Sequence, residues 1–111
     1  MIVQDLAELG LRVICAGDLG RELTGGYASD LLSCVMAKAK EGYVWVTLQA
    51  HPNVVAVASL LDLAAVIITE GVAPDQDTVE RALQNRVTLL GSPHTTWAVV
   101  GRLSALGVSG E

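Results

Sequence analysis

Few side chains in this sequence are equipped for chemistry, and those few stand at turns. The two histidines are His51, in His51-Pro52-Asn53, and His94, in Ser92-Pro93-His94-Thr95. Each follows a β-branched apolar run and carries the proline punctuation of a loop. A loop imidazole can contact a phosphate or act as a general base near neutral pH. It can equally be bonded to neighbouring backbone. The second feature is Thr24-Gly25-Gly26. Consecutive glycines can aim successive backbone N–H groups at an anion, with the Thr hydroxyl beside them, or can serve a tight turn alone. Gln49, Asn53 and Thr69 add polar groups at the ends of other apolar runs. Thr24, Gly25, Gly26, Gln49, His51, Asn53, Thr69 and His94 are therefore the candidate ligand contacts. A small anionic or nucleotide-like molecule is the ligand they suit.

Catalytic machinery with a readable signature is missing. There is no G-x-x-x-x-G-K followed by Ser or Thr, and no G-x-G-x-x-G, so a kinase or nucleotidase has no phosphate cradle. The nucleophile elbow G-x-S-x-G is also absent. A receiver-type phosphoacceptor site needs an acidic pair after the first strand and an Asp after a central one. Here those places hold Ala16-Gly17-Asp18 and Thr69-Glu70. A zinc site needs three or four ligands, and Asp18, Glu70 and Asp75 do not stand at ligand spacing from the histidines. The expectation is no catalytic residue, no metal and no cofactor; phosphotransfer through His51 is the remaining enzymatic reading. Cys15 and Cys34 lie apart in apolar surroundings and read as buried thiols of a reducing compartment.

These residues must be positioned by alternating strands and helices. Residues 12–16 (RVICA), 43–49 (YVWVTLQ), 65–69 (AVIIT) and 87–90 (VTLL) read as strands. Residues 17–26, with four glycines, read as the longest irregular segment. Ser29 or Asp30 can cap a helix whose apolar stripe is Leu31, Leu32, Val35, Met36 and Ala39. Asn53 can cap a helix over residues 54–64, and Pro74, Asp75 and Asp77 open one with Val79, Ala82 and Leu83 inward. A last helix carries Trp97, Val100, Leu103 and Leu106 and stops at Gly107. Strands apolar on both faces belong to a parallel sheet covered on both sides. The predicted fold is a three-layer α/β sandwich with about four mostly parallel strands. Ligands of such sheets bind beyond the carboxyl ends of the strands. The loops at residues 17–26, 49–53, 69–71 and 91–95 are placed there.

Composition bounds the rest. The chain has 111 residues, 51% hydrophobic and 17% charged, with a net charge of −5. Disorder is excluded, and seven scattered basic residues disfavour nucleic acid. The apolar run at residues 54–68 is interrupted by Ser59 and Asp62. It is shorter than the roughly 20 residues of a membrane span. Residues 1–10 contain Asp5 and Glu8 and no basic cluster, unlike a secretory signal, so a cytoplasmic protein is expected. The helix at 54–64 is apolar nearly all round, which predicts a homodimer covering it through a two-fold interface.

The segments Thr24-Gly25-Gly26-Tyr27-Ala28-Ser29-Asp30-Leu31-Leu32-Ser33, Val44-Trp45-Val46-Thr47-Leu48-Gln49 and His51-Pro52-Asn53-Val54-Val55 resemble the DRTGG domain family. The resemblance continues through Ile67-Ile68-Thr69, Glu70-Gly71 and Pro74-Asp75, and so runs over nearly the whole chain, residues 1–111, as one domain. Glu22-Leu23 stands where the family name has Asp-Arg, and the nearest Arg is Arg21. The resemblance implies an α/β regulatory or scaffolding module without catalytic activity. Such modules accompany phosphotransacetylases and CBS domains, including those of some pyrophosphatases, and are similar to the N-terminal domain of HPr kinase/phosphorylase. Free-standing versions occur in anaerobic bacteria near iron-hydrogenase genes. That context implies the alternative role: an interaction module for a partner enzyme, in a hydrogenase-linked redox or a phosphotransfer complex, with no small ligand.

Overall fold

The computed structural model describes residues 1–110. Its elements are α1 (Val3–Ala7), β1 (Arg12–Cys15), β2 (Gly25–Ala28), α2 (Leu32–Lys38), β3 (Tyr43–Thr47), α3 (Pro52–Leu60), β4 (Ala65–Ile68), α4 (Gln76–Asn85), β5 (Leu89–Gly91) and α5 (Thr96–Ala105). They form one five-stranded sheet in the order β1-β5-β4-β3-β2. β2, β3, β4 and β5 run parallel, and β1 pairs antiparallel with β5, Arg12 opposite Gly91. The three-layer α/β architecture is as expected, with one strand more. The extra strand is β2, Gly-Gly-Tyr-Ala, which contains no β-branched residue and so gives no strand signal.

Every residue of β3 and β4 is buried. α2, α3 and α4 cover one face through Val35, Val54, Val55, Ala58 and Ala82, packed on Trp45, Val66, Ile68 and Leu89. α1 and α5 cover the other through Val3, Leu6, Val99 and Leu103, packed on Val44, Val46, Ile67 and Leu90. Trp45 is fully buried, and its indole N–H donates to the Ser29 carbonyl at 2.9 Å. That bond satisfies the ring's one polar group and ties the end of β2 to β3.

Several local expectations change. α3 starts at Pro52 with His51, not Asn53, as its cap: His51 Nδ1 accepts the Asn53 N–H at 3.1 Å. Proline suits the first helical position because its missing N–H would have no partner there. Most of the apolar surface of α3 is covered within the chain, since α2 and α4 flank it on the same sheet face and its exposed residues are Asn53, Ala56, Ser59 and Leu60. The covering role given to a second subunit at this helix is thus filled by neighbouring helices. On α4, Leu83 is exposed and Ala82 buried; on α5, Val99 and Leu103 are buried while Trp97, Val100 and Leu106 face water. Helix stripes fix a period but not which edge of the stripe meets the sheet. Met36 and Leu31 are likewise exposed, and Cys34 is only partly buried, unlike Cys15.

The connection between β1 and β2 is tied to α1 through backbone, the Val3 N–H donating to the Arg21 carbonyl at 2.9 Å and the Gln4 N–H to the Leu19 carbonyl at 2.8 Å, and to the end of α3 through the Arg21 side chain. Arg21 Nη1 contacts Asp62 Oδ1 at 2.6 Å, and its Nη2 donates to the Asp62 carbonyl at 2.8 Å. Asp62 occupies the left-handed region, φ 55°, at the end of α3. The Arg21 hydrogen bond holds the Asp62 carboxyl below its usual range. A carboxyl depressed in the folded state stabilises the protein above its unfolded pKa, and that stability is lost as pH falls through the folded one. Arg21→Ala is therefore expected to cost about 0.2–1 kcal/mol at pH 7, the scale of exposed pairs. Denaturation at pH 7 and below pH 3 checks this: the gap between variant and wild type narrows in acid.

Candidate functional site

The carboxyl ends of the parallel strands form a polar rim, and its first third is built around Asp30. Asp30 Oδ1 accepts the Thr47 hydroxyl at 2.7 Å and the Leu48 N–H at 2.9 Å. Gln49 Nε2 donates to the Asp30 carbonyl at 2.6 Å. These bonds stitch the loop after β2 to the loop after β3. Ser29 Oγ accepts the Leu31 N–H at 3.1 Å, so Ser29 sits in the turn before α2 and Asp30 is directed to the neighbouring loop.

The other carboxylates of the rim are also committed to backbone. Glu70 lies in the left-handed region, φ 62°, and its Oε2 accepts the Thr96 N–H at 2.7 Å. It places negative charge on the first turn of α5, where the helix dipole favours it. Thr95 caps the same helix by accepting the Ala98 N–H. Thr69 is buried, and its hydroxyl meets Thr96 Oγ1 at 2.6 Å. Asp75 accepts both the N–H and the hydroxyl of Thr78 at the start of α4. These bonds hold its carboxyl below the usual range, with His51 a smaller contributor.

Five of the expected contacts, Gln49, His51, Asn53, Thr69 and His94, thus lie on one rim. Thr24, Gly25 and Gly26 do not. They start β2 at the amino end of the parallel strands, because β1 runs antiparallel and the segment after it lies at the opposite end from the rim. Their chemistry is close packing. Thr24 Oγ1 donates to the Glu41 carbonyl at 2.7 Å. A Cβ on Gly25 would stand 2.6 Å from the Tyr43 ring and 2.8 Å from the Ser109 carbonyl. The Gly26 N–H donates to that same Ser109 carbonyl at 3.0 Å. The two glycines admit Tyr43 and the segment at 108–110 against the edge of the sheet.

One opening in the rim was not visible in the sequence. The connections leaving β2, β3 and β4 all pass to the face of α2, α3 and α4, whereas β5 feeds α5 on the other face. Adjacent strands whose connections diverge leave a crevice at their carboxyl ends. A cleft of about 330 Å3 lies there, lined by Gly71 and Val72 after β4, Gly91, Ser92 and Pro93 at the end of β5, and Arg12. Arg12 reads in the sequence as the first residue of a strand. Only the antiparallel pairing of β1 with β5 carries it to this end.

The hydrogen bonds of the rim put its hydroxyls and carboxylates into defined pairings. None of its serine, threonine or cysteine side chains is hydrogen-bonded to a histidine ring among the described residues. The hydroxyls that touch carboxylates, Thr47 and Thr78, are fully buried. No three His, Cys, Asp or Glu side chains converge on a common point among the described residues. Gly25→Ala is expected to lower stability by about 1–3 kcal/mol, the cost of overpacking, and Asp30→Ala by about 1–3 kcal/mol, because the buried Thr47 hydroxyl proton loses its acceptor while its oxygen keeps the Gln49 N–H. Urea denaturation of the two variants measures both losses.

No protein-family model and no curated protein sequence matches the chain. A search of solved structures finds the crystal structure of the CBS and DRTGG domains of the regulatory region of Clostridium perfringens pyrophosphatase, complexed with an activator, diadenosine tetraphosphate. The TM-score is 0.70 at 16% sequence identity, over 88% of this chain and 43% of that one. This chain therefore spans less than half the length of its structural neighbour. At that identity the likeness is one of fold, and it supports a DRTGG-like domain.

Proposed function

We propose that this chain is a non-catalytic regulatory domain of the cytoplasm that senses a small anionic or nucleotide-like ligand at the carboxyl end of its sheet. The observation that carries this reading is the crevice between β4 and β5, in a rim whose carboxylates are spent on helix caps and loop backbone. The structural neighbour is a regulatory region bound to a nucleotide activator, which supports the same class of role. A thermal-shift screen with diadenosine tetraphosphate, mononucleotides, acetyl phosphate and coenzyme A tests it. A ligand at 100 times its Kd adds about 2.7 kcal/mol, which raises the melting temperature by several degrees. Failure of every compound to shift it overturns the reading.

A second, compatible reading concerns partners and is favoured by Trp97, which is 88% exposed on α5. Beside α5 runs a groove of about 190 Å3, floored by Gly26, Ala28 and Val46 and walled by Val100 and Ser104. Trp97, Val100 and Ser104 share one stripe of the helix, and Arg102 is the helix's single charged residue. Ring and groove on one face make a self-complementary surface, as an isologous interface requires, so we propose that the homodimer forms through α5. Docking to a partner enzyme is the competing use of the surface. Sedimentation at micromolar concentration is expected to show a dimer for wild type and a monomer for Trp97→Ser. A monomeric wild type overturns the dimer.

A further inference from the structure

We propose that the cleft between β4 and β5 is a phosphate site, with Arg12 as its recognition group. This rests on the ligand-sensing reading above and names the place and the ligand class. The chain has seven basic side chains. Arg21 is paired with Asp62 and Arg81 with Asp77. Lys38, Lys40, Arg86 and Arg102 lie in or just beyond the last turns of α2, α4 and α5, at the amino end of the sheet. Arg12 is the one unpaired cation of the carboxyl end among the described residues.

The acids of this end are held to their own loops, and none of them pairs with Arg12. Asp30, Glu70 and Asp75 each accept backbone N–H groups within their own loops. The Arg12 guanidinium lies over the end of β5: its Nη2 is 3.8 Å from where a Cβ on Gly91 would stand. That is an ordinary contact distance; the nearer neighbour of the position is Ile14 Cδ1 at 3.1 Å, so Ile14 fills the space that the glycine leaves while Arg12 lines the cleft. Gly71 opposite, at φ +70°, has nothing closer than Pro93 Cα, 4.0 Å from its own Cβ position. The walls there are bare backbone. Ser92 Oγ accepts the His94 N–H at 3.1 Å, which leaves its proton to donate.

A guanidinium offers a planar fork of donors that matches two oxygens of one phosphate. In a chain of net charge −5 most of the surface repels anions, so one uncommitted arginine in a crevice is a focal point for them. The volume of about 330 Å3 admits a phosphate with part of the group it is attached to. The ligand class is a phosphate-bearing small molecule, held by its terminal phosphate.

Calorimetric titration with pyrophosphate, diadenosine tetraphosphate and adenosine, run on wild type, Arg12→Ala, Arg12→Lys and Val72→Glu, tests the assignment. The two phosphate compounds are expected to bind wild type and adenosine is not. Arg12→Ala should weaken binding at least tenfold, and Arg12→Lys should restore part of it. Val72→Glu leaves Arg12 in place and adds a carboxylate at the cleft mouth, so it should weaken binding comparably. If wild type binds and neither Arg12→Ala nor Val72→Glu weakens it, the cleft is overturned and the ligand-sensing reading stands. Adenosine binding as tightly as the phosphate compounds overturns the ligand class. If no compound tested here or in the thermal-shift screen binds wild type, both fall.

Discussion

The requirement that most constrains this molecule is the shielding of β3 and β4 from water on both faces. Tyr-Val-Trp-Val-Thr and Ala-Val-Ile-Ile offer no polar face to solvent, so each side needs a layer of helix. Three successive crossovers between neighbouring strands place α2, α3 and α4 on one side. Had the chain continued in that way after β5, the other side would have been left with α1, five residues long. α5 crosses to that side and buries Val99 and Leu103 on Val44, Val46 and Ile67. The change of face after β5 follows from the need to cover the sheet. The crevice between β4 and β5 is its by-product, so the candidate site is a consequence of how the core is closed.

The two ends of the sheet carry different kinds of work. At the amino end, Gly25, Gly26 and Gly42 allow close approach of Tyr43, Val108 and Thr24, and Arg21 bridges to Asp62. A methyl group at any of those glycines would stand within 3.2 Å of a neighbour. The Thr-Gly-Gly stretch is thus explained by packing before any ligand is invoked. At the carboxyl end, backbone N–H groups of helix starts and loops are met by Asp30, Glu70, Asp75, Thr95 and His51. Of the expected ligand contacts there, His51 caps α3, Gln49 donates to the Asp30 carbonyl and Thr69 bonds to Thr96.

How much of this could be read in advance depends on how local each cause is. β3 and β4 were legible because β-branched and aromatic residues crowd them. Gly107 as a helix stop was legible too, and it adopts φ +94°. β2 was not, since its glycines are chosen by Tyr43 and residues 108–110 across space, not by strand propensity. Arg12 was missed for a related reason. Its functional position depends on pairing direction, which no window of residues 10–16 reveals. Of the eight named contacts, the five in loops after parallel strands landed together because the strand-end rule is topological. The three at residues 24–26 were misplaced when β1 was assumed parallel.

The hydrogen bonds of the rim also decide where many of its lone pairs point. A general base needs a lone pair directed at a substrate, and a nucleophile needs a partner that can take its proton. Here one carboxylate oxygen each of Asp30, Glu70 and Asp75, and His51 Nδ1, accept backbone N–H groups of the same rim. Those bonds give the loops one rigid geometry. They join the loop after β2 to that after β3, and the loop after β4 to the start of α5. A ligand entering between β4 and β5 would therefore meet Gly71 and Ser92, whose loops are already joined by the Gly71 N–H bond to the Ser92 carbonyl. Beyond them lies Glu70, fixed to α5. That helix also presents Trp97. One hydrogen-bonded path therefore runs from the crevice between β4 and β5 to an exposed surface of the molecule.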